Sequence, residues 1–179
     1  MLEKKFLSRL LAGVAVAAIG LSSAHAAEKL RFSHTDNPGG SRQAAAELFA
    51  EKVAEYTDGR YEVQIYPSGQ LANDPKAIEL LQLGGIDFTV SATGSYATHL
   101  PSLNLTAMPF LVDTYEQGWE LYDNSEWLQG EFQKLPEKGF RVLSTWEAGF
   151  RSFTTNEPLT SPKDAESMKM RVFPNDMIR

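Results

Sequence analysis

The 179-residue chain contains no cysteine. Disulfides, thiolate nucleophiles and cysteine-based metal centres are excluded with it. It also lacks the common catalytic signatures. There is no G-x-S-x-G, no H-E-x-x-H, no phosphate-binding G-x-x-x-x-G-K-[ST], and no G-x-G-x-x-G after a strand. Histidine is scarce, with three residues in all, of which only His34 and His99 lie beyond the first 26 positions. Excess positive charge is missing as well. Residues 1–26 hold three basic groups and one acidic, so the remainder has 14 basic and 22 acidic residues, a net charge of −8. Such a chain repels nucleic acid and anionic lipid at long range. Any anion it binds needs local positive charge.

What is present begins with an export signal. Lys4, Lys5 and Arg9 precede an apolar run from Leu10 to Leu21, and "AHA" at Ala24–Ala26 offers a small-x-small cleavage site. Twelve residues are too few to cross a bilayer as a helix. The expectation is a cleaved signal over 1–26 and a soluble periplasmic product, since no cysteine follows for lipid attachment.

Hydrophobic periodicity organises the rest. "LRFSH" (30–34) reads as a strand. A helix follows from Arg42 to Thr57, with Ala45, Leu48, Phe49, Val53 and Tyr56 as its apolar stripe. "RYEVQIYP" alternates as a strand does. Asp74 suits the cap of a second helix and Pro75 its first turn, with Ala77, Leu80 and Leu81 facing inward. "IDFTVSA" (86–92) is a third strand. This alternation implies an α/β fold with an open, mostly parallel sheet and helices on both sides. Its ligand crevice lies at the strands' carboxyl ends, where the loops after His34 and Ala92 fall. "NLTAMPFL" is expected as a short strand. A helical region opening on a Thr114–Gln117 capping box carries Leu128, Phe132 and Leu135 inward to a stop at Gly139. "FRVLSTW" (140–146), "GFRSFTT" and "MKMRVF" read as further strands, the last two joined by a capped helical turn, "SPKD". The sequence ends just inside a new helix, and the expectation is a piece of a longer protein.

Chemistry has few places to reside. His34 with Asp36 is too little for a metal site. "NPGGS" before the first helix reads better as a turn than as an anion site. Arg151 and Arg171 stand out, each inside a strand-like run. A guanidinium presents paired donors that fit a carboxylate in its plane. From the spacing alone a surface ion pair, which contributes little, is the favoured reading.

The segments "LRFSH", "AAELFAEKVAEYTDGRYEVQIYPSGQL", "LQLGGIDFTV", "AMPFL", "GFRSFTT" and "MKMRVFPN" occur in one order and spacing. In these the chain resembles the DctP-type solute-binding proteins of tripartite ATP-independent periplasmic (TRAP) transporters. The resemblance implies a periplasmic binding protein-like, two-lobed fold of which this chain is part, with residues 27–148 as most of the first lobe and 149–179 as the start of the second. It also implies that Arg171 pairs with the carboxylate of a small organic acid and that Arg151 assists. Asn175 falls where a polar contact is often made, although "RVFPN" stands where some members have "RVPN". Trp146, His34 and Thr93 lie on strand-end loops facing the cleft. The implied partners are the acid and the integral membrane subunits of a TRAP transporter, with no cofactor, no metal, no nucleic acid and a monomeric state. The rival reading is a periplasmic hydrolase or other α/β enzyme with His34 or Glu147 as general base. A pure interaction domain is the third.

Overall fold

The computed structural model describes residues 26–152, 154–166, 168–172, 175 and 177–178. The export signal expected over 1–26 therefore lies, but for Ala26, outside the described residues. Among the described residues no helix is long and apolar enough to cross a membrane.

Strand β1 (Glu28–Ser33) is the centre of a three-stranded parallel sheet of order β2-β1-β3. Helix α1 (Ser41–Tyr56) leads to β2 (Tyr61–Tyr66), and α2 (Asp74–Gln82) leads to β3 (Phe88–Thr89). Both pairings are parallel: Leu30 lies opposite Val63, and Phe32 lies between Ile65 and Phe88. Phe32 and its neighbour Ser33 point to opposite faces, and both are buried. The sheet centre is thus covered on both sides, as the strand–helix alternation predicts.

The third strand is far shorter than the expected 86–92. Side chains take over from the ladder at its two ends. The Asp87 carboxylate accepts the Arg31 backbone N–H at 2.7 Å, and the Thr89 hydroxyl donates to the Ser33 carbonyl at 3.0 Å. The stripe of α1 is also rotated from the expected one. Ala46 is buried, and Phe49, Ala50 and Val53 pack on the sheet, whereas Leu48 and Tyr56 are 56% and 76% exposed. At Gly40, which precedes this helix, a Cβ would require the Asp36 carboxylate to move. The cap of α2 is Asn73, which accepts the Lys76 N–H at 3.2 Å; Asp74 is the first helical residue and Pro75 the second. Ile78, absent from the expected face, is the most buried residue of α2.

Two apolar clusters result. One joins Phe32, Ala46 and Val63 between sheet and α1. The other joins Ile78, Leu103, Leu128, Leu135 and Phe140. Leu103 belongs to a 3-10 helix (Pro101–Ala107) where a strand was expected from 104. The Thr106 hydroxyl donates to the Leu103 carbonyl at 2.7 Å, which favours a helical turn over an extended one. It leaves Leu103 buried and Leu105 half exposed, a separation that strand alternation would not produce. The long helical region is broken into α3 (Tyr115–Trp119), a π-helical stretch (Glu120–Asn124), α4 (Glu126–Phe132) and a 3-10 turn (Leu135–Lys138). Thr114 and Ser125 cap α3 and α4 with their hydroxyls, and Gly139 closes the region at φ +88°. Glu131, buried here, accepts from Lys134 at 2.5 Å and from Ser102, and these contacts hold its carboxyl below the usual range.

Strands were expected over 140–146, 149–155 and 168–173, and none of the described residues in these ranges is in a strand. A strand exists only where a neighbour accepts its backbone, and neither edge of this sheet has taken these segments up. The Ser161–Asp164 capping box is present as expected.

Ile78→Ala should lower stability by roughly 2–5 kcal/mol, as deletion of buried methylenes does. Leu48→Ala should stay within about 0.5 kcal/mol. Urea unfolding of the two variants checks that Ile78 of α2 faces the core and Leu48 of α1 faces water; similar losses would contradict this.

Candidate functional site

The carboxyl ends of the strands are stitched into one edge. The His34 N–H donates to the Tyr66 carbonyl at 3.1 Å, Gly69 N–H to the His34 carbonyl at 3.0 Å, and Ser68 N–H to the Asp36 carbonyl at 2.9 Å. The loops after β1 and β2 therefore form a single rim.

His34 stands behind this rim, 1% exposed. The Gln43 amide donates to Glu47 at 2.7 Å, so its oxygen faces the His34 Nε2 at 2.8 Å and requires that nitrogen to carry the proton. Nδ1 is then a buried acceptor with no partner among the described residues. The His34 ring packs edge-on to Phe32 and meets the side chain of Gln43 on α1. Trp146 is partly exposed and lies against Phe32, ring centroids 6.0 Å apart. Phe32 thus ties Trp146 and His34 to the same end of β1. Glu147, the other candidate base, accepts the Trp119 indole N–H at 2.8 Å.

Thr93 opens a 3-10 helix (Thr93–Thr98) just beyond β3 and is partly buried. Its neighbour Gly94 meets Asn175. The Asn175 amide donates to the Asn104 side-chain oxygen at 2.7 Å and to the Gly94 carbonyl at 3.4 Å, while its own oxygen accepts the Met177 N–H at 2.9 Å. At 6% exposure it is a buried internal tie. A Cβ on Gly94 would come within 2.9 Å of the Ala107 Cβ and 3.1 Å of the Asn175 amide, which explains the glycine. Asn175 thereby fixes the chain, four residues past Arg171, to the loop that carries Thr93.

Arg151 and Arg171 are both exposed. The structure brings Trp146 and His34 together through Phe32, and Asn175 together with the Thr93 loop. Hollows among the described residues include one of about 340 Å³ beside Tyr122, Phe132 and Leu143 and another of about 460 Å³ beside Phe110, Leu159 and Met170. None of the six candidate residues lines either. Among the described residues no group of three His, Asp or Glu side chains could hold a metal ion. Gln43, Asn104 and Trp119, each a partner of a candidate, were missed in the sequence because nothing in their spacing marks a contact so distant along the chain.

The chain is α/β with a parallel sheet, and it shares its fold with solved periplasmic solute-binding proteins. The solved sugar acid binding protein DctPAm of Advenella mimigardefordensis, in complex with galactonate, superposes with a TM-score of 0.80 at 28% identity, covering 84% of this chain and 49% of that one. Residues 32–179 match the family model of the bacterial extracellular solute-binding proteins, family 7 (DctP), and the chain belongs to that family. A solute-binding protein of Chromohalobacter salexigens is 31% identical over 160 residues, 89% of this chain and 47% of its own length. The C4-dicarboxylate-binding periplasmic protein DctP of Rhodobacter capsulatus is 29% identical over 177 residues, 96% of this chain and 52% of its own length. The chain spans about half the length of the curated relatives it matches. The family is one of binding receptors.

Tyr96, in the Thr93–Thr98 helix, packs edge-on against Phe140 at 5.4 Å. Burial, and to a smaller extent the Asp74 charge, push its phenol from 10.0 up to about 12. The folded state keeps this proton where the unfolded chain loses it, so stability should fall as pH rises from 10 to about 12. In a phenolate absorbance titration one of the six tyrosines should ionise late, and Tyr96→Phe should abolish that late step. A single step near 10 for all six would contradict the buried placement.

Proposed function

We propose that this chain is part of a periplasmic receptor that captures a small organic acid and delivers it to the integral membrane subunits of a TRAP-type transporter. The observation that carries the reading is the family match over residues 32–179, which takes in the segments of both arginines. Among relatives described by their ligands, one binds C4-dicarboxylate, one galactonate and one sialic acid, each a carboxylate, and another binds ectoine. In this reading residues 1–26 are cleaved on export, 27–148 supply the first lobe and 149–179 begin the second. The strands expected around Arg151 and Arg171 would find their ladder partners in the remaining length that the relatives possess.

Arg171 takes the carboxylate through paired N–H donors and Arg151 assists; hydrogen bonds to charged groups contribute about 1.5–3 kcal/mol each. Trp146 and the Thr93 loop form the first-lobe wall, with His34 and Asn175 holding that wall from behind. The net charge of −8 beyond residue 26 leaves these two guanidinia as the local attraction for an anion. Ligand favours closure because contacts from both lobes exist only in the closed form. The receptor acts as a monomer, without cofactor or metal, and makes and breaks no bond. Against an enzyme stand the two alternative candidate bases: the His34 Nε2 is engaged by Gln43 and the Glu147 carboxylate by Trp119.

In the gene's full-length product, Arg171→Ala should cost roughly 2–5 kcal/mol of organic-acid affinity, the range for truncating one partner of a desolvated charge pair. Calorimetry with galactonate and with a C4-dicarboxylate checks it. Affinity equal to that of the unaltered protein would remove Arg171 from the site.

A further inference from the structure

The segment carrying Arg151 has no ladder, yet it is tied at two points to one short helix. Glu147 accepts the Trp119 indole N–H at 2.8 Å. Phe150 sets its ring at 61° against Tyr115, centroids 4.9 Å apart. Tyr115 and Trp119 stand one turn apart on α3, the spacing that puts two side chains on one helix face, and their rings stack at 6.3 Å and 23°. Gly149 lies between the two ties at φ +76°, a backbone conformation that glycine adopts without penalty. It turns the chain so that Glu147 and Phe150 both reach α3. A Cβ there would stand 3.8 Å from the Tyr115 hydroxyl.

These aromatics are not core. Tyr115, Trp119 and Phe150 are 45%, 50% and 51% exposed, and none belongs to either apolar cluster. Three large rings left half in water contribute less than burial would give them. What they do accomplish is to fix residues 147–150, and the next residue is Arg151. The structure assigns Tyr115, Trp119, Glu147 and Phe150 the role of a brace that aims the Arg151 guanidinium. This rests on the reading of Arg151 as a ligand contact, and it makes Trp119 and Glu147 positioning residues for binding. A long cationic side chain loses less freedom on gripping its ligand if its backbone is already fixed.

Two measurements on the full-length gene product test the brace. The first needs no ligand. Backbone amide order parameters at Phe150 and Arg151 should fall from the rigid value of about 0.85 to below about 0.6 in Trp119→Phe and in Glu147→Ala. Glu147→Gln, which keeps an oxygen acceptor for the indole N–H, should retain the rigid value. Unchanged order parameters in Trp119→Phe would overturn the brace whatever the ligand. The second uses whichever of galactonate, galacturonate, glucuronate and succinate binds the unaltered protein most tightly. Trp119→Phe should weaken that acid about ten-fold, yet have no further effect in an Arg151→Ala background, the non-additivity expected of coupled residues. Additive losses would show that Trp119 acts other than through Arg151 and would overturn the aiming role. If none of the four acids binds, or if Arg151→Ala alone leaves affinity unchanged, the ligand reading of Arg151 fails and the aiming role with it. The order parameters would still decide whether the brace exists.

Discussion

Everything in this fold is referred to β1. Among the described residues it is the one strand paired on both sides, and both pairings are parallel. Parallel pairing forces each connection to cross back over the sheet, so α1 and α2 intervene and all carboxyl ends emerge at the same edge. Phe32 at the end of β1 is the point of convergence. It meets Ile65 and Phe88 across the sheet, Phe49 from α1, and Trp146 from a segment more than a hundred residues later. The rim loops are laced above it through the His34, Asp36 and Tyr66 backbones. Loss of the β1 register would disperse the rim, the aromatic cluster and the Thr93 loop together.

Elements whose signal is local were legible in the sequence. β1, α1, β2 and α2 fall within a residue or two of their expected limits, because period-two and period-3.6 patterns and turn residues act over a few positions. The Thr114, Ser161 and Gly139 signals were equally local and equally readable. Failures arose where a distant group decided the outcome. β3 is short because Asp87 and Thr89 bond through their side chains. The face of α1 is rotated because Ala46 fits against the sheet while Leu48 has nothing to meet. The segments 141–146, 149–152 and 168–172 have the composition of strands but no neighbour to pair with, and composition cannot supply one.

The site was legible in part and for the same reason. The family likeness of "GFRSFTT" and "MKMRVFPN" marked the arginines, and nothing local revealed how they are held. His34 and Asn175 were expected at the ligand. In the structure His34 meets Gln43 behind the rim, and Asn175 is bonded to Asn104 and Gly94 beside the Thr93 loop. Rigid support of this kind is what precise recognition requires, since a donor that wanders must be ordered anew each time ligand arrives. Residues that look like contacts in a sequence can be the scaffolding of contacts in the fold.

The central claim is that a carboxylate is gripped by two guanidinia over the carboxyl edge of the β1-centred sheet. A crystal structure of the full-length gene product with galactonate or a C4-dicarboxylate tests it most directly. The account predicts the acid's carboxylate hydrogen-bonded to both Arg171 and Arg151, with its far end toward Trp146 and the Thr93 loop. An acid bound elsewhere, or a guanidinium turned to bulk solvent in the closed form, would contradict it.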